Sequence, residues 1–225
     1  MAVTQEPAVP LTGPQSGSSK GQQEEPGLRE RSKARRRDAI ILAAYTLFAE
    51  RGYDATTVSD IAAAAEVSPR TVAMYFPSKQ DIALSRFTAA ADSLTADIRA
   101  RGDGERVTDV LARWLHDEHK RTDAGTKRLA LRMFAANPEL NAMRTARMAA
   151  AIDEGAAAVG AETGLPADSP GPRMAAVAAA AMLIEISDLM PGEERDAAVA
   201  TLVGFLEAGI GTLSGPGRAG PALAV

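Results

Sequence analysis

Residues Thr57–Leu84 read T-V-S-D-I-A-A-A-A-E-V-S-P-R-T-V-A-M-Y-F-P-S-K-Q-D-I-A-L, a stretch that holds three helix starts. Thr57 is followed three residues later by Asp60, and Ser78 three later by Asp81. Each pair suits a capping box, in which a hydroxyl takes an orphan N–H and a carboxylate reaches back. Between them, Ser68-Pro69 reads as an N-cap followed by a proline at the first helical position, where its missing N–H does no harm. These signals predict helices over about 58–65 and about 69–76, and a third from Lys79. Only Glu66, Val67 and the cap Ser68 join the first two. So tight a joint makes a helix-turn-helix, whose second helix enters the major groove of DNA.

Within the 69–76 helix, Val72 and Phe76 are four apart and face the core. Arg70, Thr71, Ala73 and Met74 are left to face outward in varying degree. Arg70 is the best candidate for base readout, because a guanidinium grips O6 and N7 of guanine with two bonds. Thr71 offers a base its hydroxyl or methyl, and Met74 offers a thymine methyl an apolar contact. In the 58–65 helix, Val58, Ile61, Ala62 and Ala65 form the packing face. Thr57 and Ser59 sit at its N-terminus, where backbone N–H groups favour a phosphate.

Upstream, Arg29, Arg31, Lys33, Arg35, Arg36 and Arg37 fall within nine positions. This basic arm leads into a helix expected from about Lys33 to Glu50 and ended by Gly52, with Ile40, Ala44, Leu47 and Phe48 at helical spacing. Beside a helix-turn-helix such an arm lies along phosphates or in the minor groove; away from one it is a solvated charge run. The formal net charge of −4 hides this asymmetry. Residues 28–86 carry 10 Lys/Arg against 7 Asp/Glu, whereas residues 87–225 carry 14 against 19. DNA feels the local field, not the sum.

Ile40, Ala43-Ala44, Leu47-Phe48, Gly52-Tyr53, Thr57, Asp60-Ile61-Ala62, Val67-Ser68, Thr71, Tyr75-Phe76, Lys79 and Asp81 keep one register. Together they resemble the DNA-binding end of the TetR family of transcriptional regulators, over Arg35 to about Leu84. The resemblance implies that Thr57 caps its helix and touches the operator backbone, and that Tyr75 and Lys79 reach phosphates. Read from the residues alone, Tyr75 also suits a core-edge aromatic, and Lys79 a solvated lysine. The expected DNA-facing set is therefore Arg35, Thr57, Ser68, Pro69, Arg70, Thr71, Met74, Tyr75 and Lys79. One departure is Glu66, where the family usually has Gly. That turn position favours φ > 0, so Glu should carry strain of roughly 1 kcal/mol.

Downstream, Leu84, Phe87, Ala91, Leu94 and Ile98 predict a long amphipathic helix over 79–100, a lever away from the reading head. Further helices are expected over 105–120, 125–136, from Pro138 to about Ile152, over 173–190 and over 192–213, with a loop at 160–172. No strand alternation appears. The expectation is an all-α chain of about nine helices. A tail over 1–27, read as disordered, precedes a helix-turn-helix domain over 28–80. A helical domain over 81–213 and a disordered tail over 214–225 follow.

Cysteine is absent, which excludes disulfides and thiolate zinc sites and fits a cytoplasmic protein. No uncharged apolar run reaches bilayer-spanning length, and the N-terminus lacks a signal segment, so no membrane role is expected. His116-Asp117-Glu118-His119 places two histidines at i, i+3. A divalent ion is conceivable there, but a polar outer face opposite Trp114 and Leu115 is the better reading. No catalytic constellation stands out, so no enzyme and no cofactor is expected.

The resemblance implies that the helical body binds a small effector and pairs with a second copy. Helices 173–190 and 192–213 offer more apolar surface than one subunit easily covers, which suits a four-helix dimer contact. A pocket is expected among Phe87, Ala91, Trp114, Met133, Phe134, Met143 and Met182, although the same stripe also reads as plain core. Glu185, Arg128 and Arg132 are either polar anchors for a ligand or surface charges. The run from Lys127-Arg128-Leu129 to Pro138-Glu139-Leu140 is similar to a subgroup linked to acyl-coenzyme A-like ligands, notably regulators of the mycofactocin type. The function implied is a ligand-released repressor on a palindromic operator. The alternative is an all-helical binding protein or enzyme whose helix-turn-helix does not recognise DNA.

Overall fold

A computed structural model describes residues 27–214 apart from Thr122, and the side chain of His119 is also outside the described set. The expected tails lie outside it too, except Gly27 and Ser214 at its two ends. The described residues form eleven helices and no strand: α1 Leu28–Arg51, α2 Val58–Ala64, α3 Pro69–Tyr75, α4 Lys79–Ala83, α5 Ser85–Arg99, α6 Val107–Arg121, α7 Ala124–Ala136, α8 Pro138–Arg147, α9 Ala149–Thr163, α10 Pro170–Ser187 and α11 Glu193–Leu213.

The expected nine became eleven because two helices are broken at single residues. Leu84 (φ −94°, ψ 1°) separates α4 from α5, and Met148 (φ −87°, ψ −2°) separates α8 from α9. Both sit in the bridge region of backbone space and are buried in packed cores. The apolar period runs straight through each, so nothing local marks the break. The helix at the basic arm also begins earlier than expected, at Leu28. Its first turns are exposed Arg, Lys and Glu, good helix formers that need no packing to extend it.

The Ala-Gly segment after Ile152 and the first part of the expected loop are helical, as α9. Its small residues are the reason it packs. α9 lies between α5 and α10. A Cβ on Gly155 would come within 3.5 Å of Ala176 Cβ, and one on Gly160 within 2.7 Å of the Leu165 carbonyl. α9 is thus a slim central rod, with Ala151, Ala156, Ala158 and Val159 buried around it.

Two hydrophobic clusters organise the chain. The first takes Ile40, Ile41, Tyr45 and Phe48 of α1, Ile61 of α2, Val72 of α3 and Ile82 of α4, with Met133, Phe134 and Leu140 from α7 and α8. The second gathers α5, α6, α9, α10 and α11. The reading head therefore shares its core with α7 and α8. Each fully buried large aliphatic residue there is worth about 1.5–3 kcal/mol.

Asn137 fastens the same joint. Its Oδ1 accepts from the Tyr53 backbone N–H at 2.5 Å, and its Nδ2 donates to the Phe48 and Met133 carbonyls at 3.0 and 2.7 Å. One buried amide thus meets the free Tyr53 N–H beyond α1 and ties the ends of α1 and α7 together.

α11 packs Leu202, Leu206 and Ile210 inward. By length and composition alone it is apolar enough to cross a membrane, although Glu207 interrupts any uncharged run of that length. Only 17% of its most apolar window is buried, and Glu207 in the same helix pairs at 2.8 Å with Arg106, the residue just before α6.

Candidate nucleic-acid interface and ligand cavity

The turn between α2 and α3 is built as its residues dictate. Thr57 Oγ1 accepts from the Asp60 N–H at 3.1 Å, and Asp60 Oδ2 accepts from the Thr57 N–H at 2.8 Å, which completes the capping box. Ser68 Oγ accepts from the Thr71 N–H at 3.1 Å, with Pro69 next in the first turn. Ser78 Oγ accepts from the Asp81 N–H at 3.1 Å. Glu66 has φ 54°, the one non-glycine residue with positive φ among those described.

α3 is anchored by its back. Val72 is 1% exposed and Phe76 5%, while Met74 is 78% exposed. Arg70 and Ala73 are exposed on the same outer side, with Ser68 and Pro69 exposed at its start. The Arg70 guanidinium has no salt bridge or hydrogen bond among the described residues. A short rod with a locked apolar back and an open Arg70–Met74 face is the shape that major-groove readout needs. Arg35 is exposed on α1, and Arg37 lies with its guanidinium 5.1 Å from the Phe76 ring centroid, tying the basic arm to α3.

Four expected contact residues are wholly or partly engaged within the fold. Lys79 Nζ donates to the Tyr53 carbonyl at 2.6 Å and the Thr56 carbonyl at 3.0 Å, and sits 4.1 Å from the Tyr53 ring centroid. The lysine thus caps the α1–α2 connection instead of pointing freely to solvent. Thr57 gives its hydroxyl proton to Asp60 Oδ2 at 2.6 Å, so that proton is not offered to a phosphate. Tyr75 is half-buried against the first core. Thr71 is half-buried, its hydroxyl 2.8 Å from Ser68 Oγ.

A cavity opens where α1, α5, α6, α7, α8, α10 and the start of α11 converge, with about 150 Å³ of room for the centres of water-sized molecules. Phe87, Ala91, Trp114 and Phe134 line it, as expected. Met133 and Met143 do not, because α7 and α8 turn them into the first core. Met182 packs against the second core, off the cavity. Arg128, Arg132 and Glu185 are exposed surface charges.

The polar groups of the cavity were not foreseen. Arg144 is 1% exposed. Its guanidinium donates to Asp188 at 2.9 Å, Asn141 at 3.0 Å, the Ile184 carbonyl at 3.1 Å and the Ser187 hydroxyl. It is stacked between Phe87 and Phe134, 5.1 and 4.6 Å from their centroids. Its only sequence signal is an arginine amid the apolar positions of α8, which a surface position also allows. His116 is exposed, and no group of metal-binding side chains occurs among the described residues.

Comparison with known proteins bears on both sites. Residues 40–85 match the family described as bacterial regulatory proteins, tetR family. Over 87 residues the chain is 40% identical to the HTH-type transcriptional regulator TcmR of Streptomyces glaucescens; that match covers 39% of this chain and 38% of the relative's length. Among solved structures, Salmonella enterica GusR superposes with a TM-score of 0.56 at 23% identity, covering 79% of this chain and 96% of that one. NalD, the secondary repressor of the MexAB-OprM multidrug efflux pump in Pseudomonas aeruginosa, superposes at 0.55 and 21% identity, covering 78% and 97%. At those identities the structures speak for the fold.

Proposed function

Because this chain belongs to the TetR family of bacterial regulatory proteins, we propose that it is a ligand-responsive, DNA-binding transcriptional repressor. The observation that carries the reading is α3: Val72 and Phe76 locked inside, Arg70 and Met74 open outside. In this reading Arg70 reads base edges, with Thr71 and Met74 beside it. Arg35, Ser68 and Pro69 border the duplex, and Tyr75 supports the reader from the core edge.

The protein acts as a dimer on a twofold operator, two copies of α3 entering successive major grooves about 34 Å apart. Its pairing surface is the outer side of α10 and α11. Met174 and Val177 of α10 and Phe205 of α11 are 70%, 47% and 59% exposed, on helices rich in alanine and glycine that allow close approach. The large apolar area left open on α11 is the mark of an interface.

The effector occupies the cavity at the junction of head and body, where Tyr45 of α1 and Arg86 of α5 both reach it. A ligand that prefers one arrangement of α1 against α5 shifts the spacing of the two reading heads, and only that preference gives it leverage. Room for roughly ten water-sized groups suits a compact effector and is too small for a whole acyl-coenzyme A-like molecule. Selection of bound duplexes from a random pool tests the function. A palindromic consensus with half-sites one helical turn apart is expected, and the absence of any enriched sequence would refute it.

A further inference from the structure

The charges around the cavity do not balance. Arg86, Lys127, Arg144 and Arg195 line it, against Glu118 and Asp188. Asp188 is taken by Arg144 at 2.9 Å, and Glu118 is paired at 3.2 Å with Arg121, which is not part of the lining. Arg86 reaches Asp38 at 3.6 Å. Lys127 and Arg195 are left with carbonyl oxygens, those of Ser187 and Leu115. Two buried or part-buried cations thus have no carboxylate at ion-pair distance, and burying a charge that is incompletely paired is costly.

The hydrogen bonds are lopsided in the same direction. Trp114 Nε1, Arg86 Nε and Arg144 Nε are buried and have no acceptor among the described residues. All three belong to lining residues, Trp114 7% and Arg144 1% exposed, and all three are donors. The cavity therefore presents positive charge in excess of its carboxylates, set in walls of Phe87, Phe134 and aliphatic side chains. Burial lowers the Lys127 ammonium from its ordinary value, and the nearby Arg195 and Arg144 push the same way against the pull of Asp188 and Glu118. Burial also lowers Arg195, against the pull of Asp196 and Glu118.

We propose that the cavity binds a compact apolar molecule bearing one carboxylate or comparably acidic group, its anion met by Lys127 and Arg195 and its body packed on Phe87 and Phe134. The assignment rests on the effector reading of this cavity and narrows its chemistry. A cationic drug would add to charge that is already in surplus. A neutral hydrocarbon would leave Lys127 and Arg195 without a counter-charge, and an uncompensated buried charge is the costly case.

The test is calorimetric titration of the full chain with benzoate, 2-naphthoate and decanoate, each beside its methyl ester and the amine of the same skeleton. At least one carboxylate is expected to bind about tenfold or more tightly than its ester, with the amine weakest. Lys127→Met should reduce that preference about tenfold, and Lys127→Arg should keep it. If no carboxylate outbinds its ester, or if Lys127→Met and Arg195→Met both leave the preference intact, the proposal is wrong. Should a variant fail to fold, as judged by its melting curve, the wild-type carboxylate-to-ester ratio decides alone. Binding is read directly, so a chain that enriches no DNA sequence yet prefers carboxylates overturns the proposed function and supports this assignment. A chain that recognises DNA without that preference does the reverse.

Discussion

Arg147 of α8 donates a 2.8 Å hydrogen bond to Asp81 Oδ1 of α4, with both side chains about 30% exposed. Arg144, three residues earlier on α8, is the buried guanidinium of the cavity. One short helix thus touches the ligand site with one arginine and the reading head with the next. A displaced Arg144 must carry Arg147 with it, since the two are neighbours on a rigid helix face. Asp81 and Arg147 should therefore show a coupling energy of about 0.5–1 kcal/mol in a double-mutant cycle of Asp81→Asn and Arg147→Gln, measured by denaturant unfolding. Additive losses would mean that the pair transmits nothing.

Acid should act through the same residue. The Asp81 carboxyl is held below its ordinary range by the Ser78 hydroxyl first and Arg147 second; the Thr57 hydroxyl does the same for Asp60, and Thr126 for Asp123. A carboxyl depressed in the fold adds stability that is full above its unfolded pKa, and loses it as pH falls through the folded one. Stability should therefore hold from pH 7 down to about 4 and then fall. Asp81→Asn should make the acid limb of a melting-temperature profile shallower. A profile unchanged by Asp81→Asn would rule this carboxyl out.

Glu66 at φ 54° is a second point of strain, exposed and outside any described pairing. A left-handed conformation costs a residue with a Cβ about 1–2 kcal/mol, and glycine gives back about 0.5–1 kcal/mol of that in unfolded-chain entropy. Glu66→Gly should raise stability by about 0.5–1 kcal/mol, while Glu66→Ala should not, because alanine keeps the Cβ. Equal effects from the two would show that the side chain, not φ, sets the outcome.

The strain at Glu66 was legible because a turn of two residues between capped helices leaves few backbone solutions. The same holds for α2, α3 and the start of α4, where Thr57, Ser68 and Ser78 announce themselves locally. What was not legible is long-range. Asn137 looks like a loop residue before Pro138, and only the fold brings it to Tyr53 and Phe48. Arg144 reads as one more surface arginine until Asp188 and two phenylalanines close on it. The Ala-Gly run of α9 carries no amphipathic signal, since its residues are buried for their small size. Met133 beside Phe134 on α7 and Met143 on α8 all join the first core, and nothing local shows that only Phe134 also reaches the cavity.

Lys79 is the sharpest divergence between pattern and geometry. Sequence placed it on a phosphate; the structure gives its ammonium to the Tyr53 and Thr56 carbonyls. Hydrogen bonds from a charged donor are each worth about 1.5–3 kcal/mol at most, so Lys79→Ala should lower stability by about 1–2 kcal/mol. It should leave the salt dependence of DNA binding unchanged. A stable Lys79→Ala protein whose log-affinity slope against log-salt falls by about one would return the lysine to the phosphate.

Arg70 carries the opposite signature. Its guanidinium is exposed on α3 beside Met74 and has no described partner to lose, so Arg70→Ala should leave the melting temperature within error of wild type. A bidentate guanidinium–guanine pair is worth about 1–3 kcal/mol of discrimination. The variant should therefore bind its selected operator about ten- to a hundredfold more weakly, with the loss concentrated at one base position per half-site. Binding to random duplex should weaken far less, because phosphate contacts elsewhere supply it. Gel shifts on single-base operator variants read the difference directly. An equal loss on operator and random duplex would make Arg70 a phosphate contact and move base reading to Thr71 and Met74.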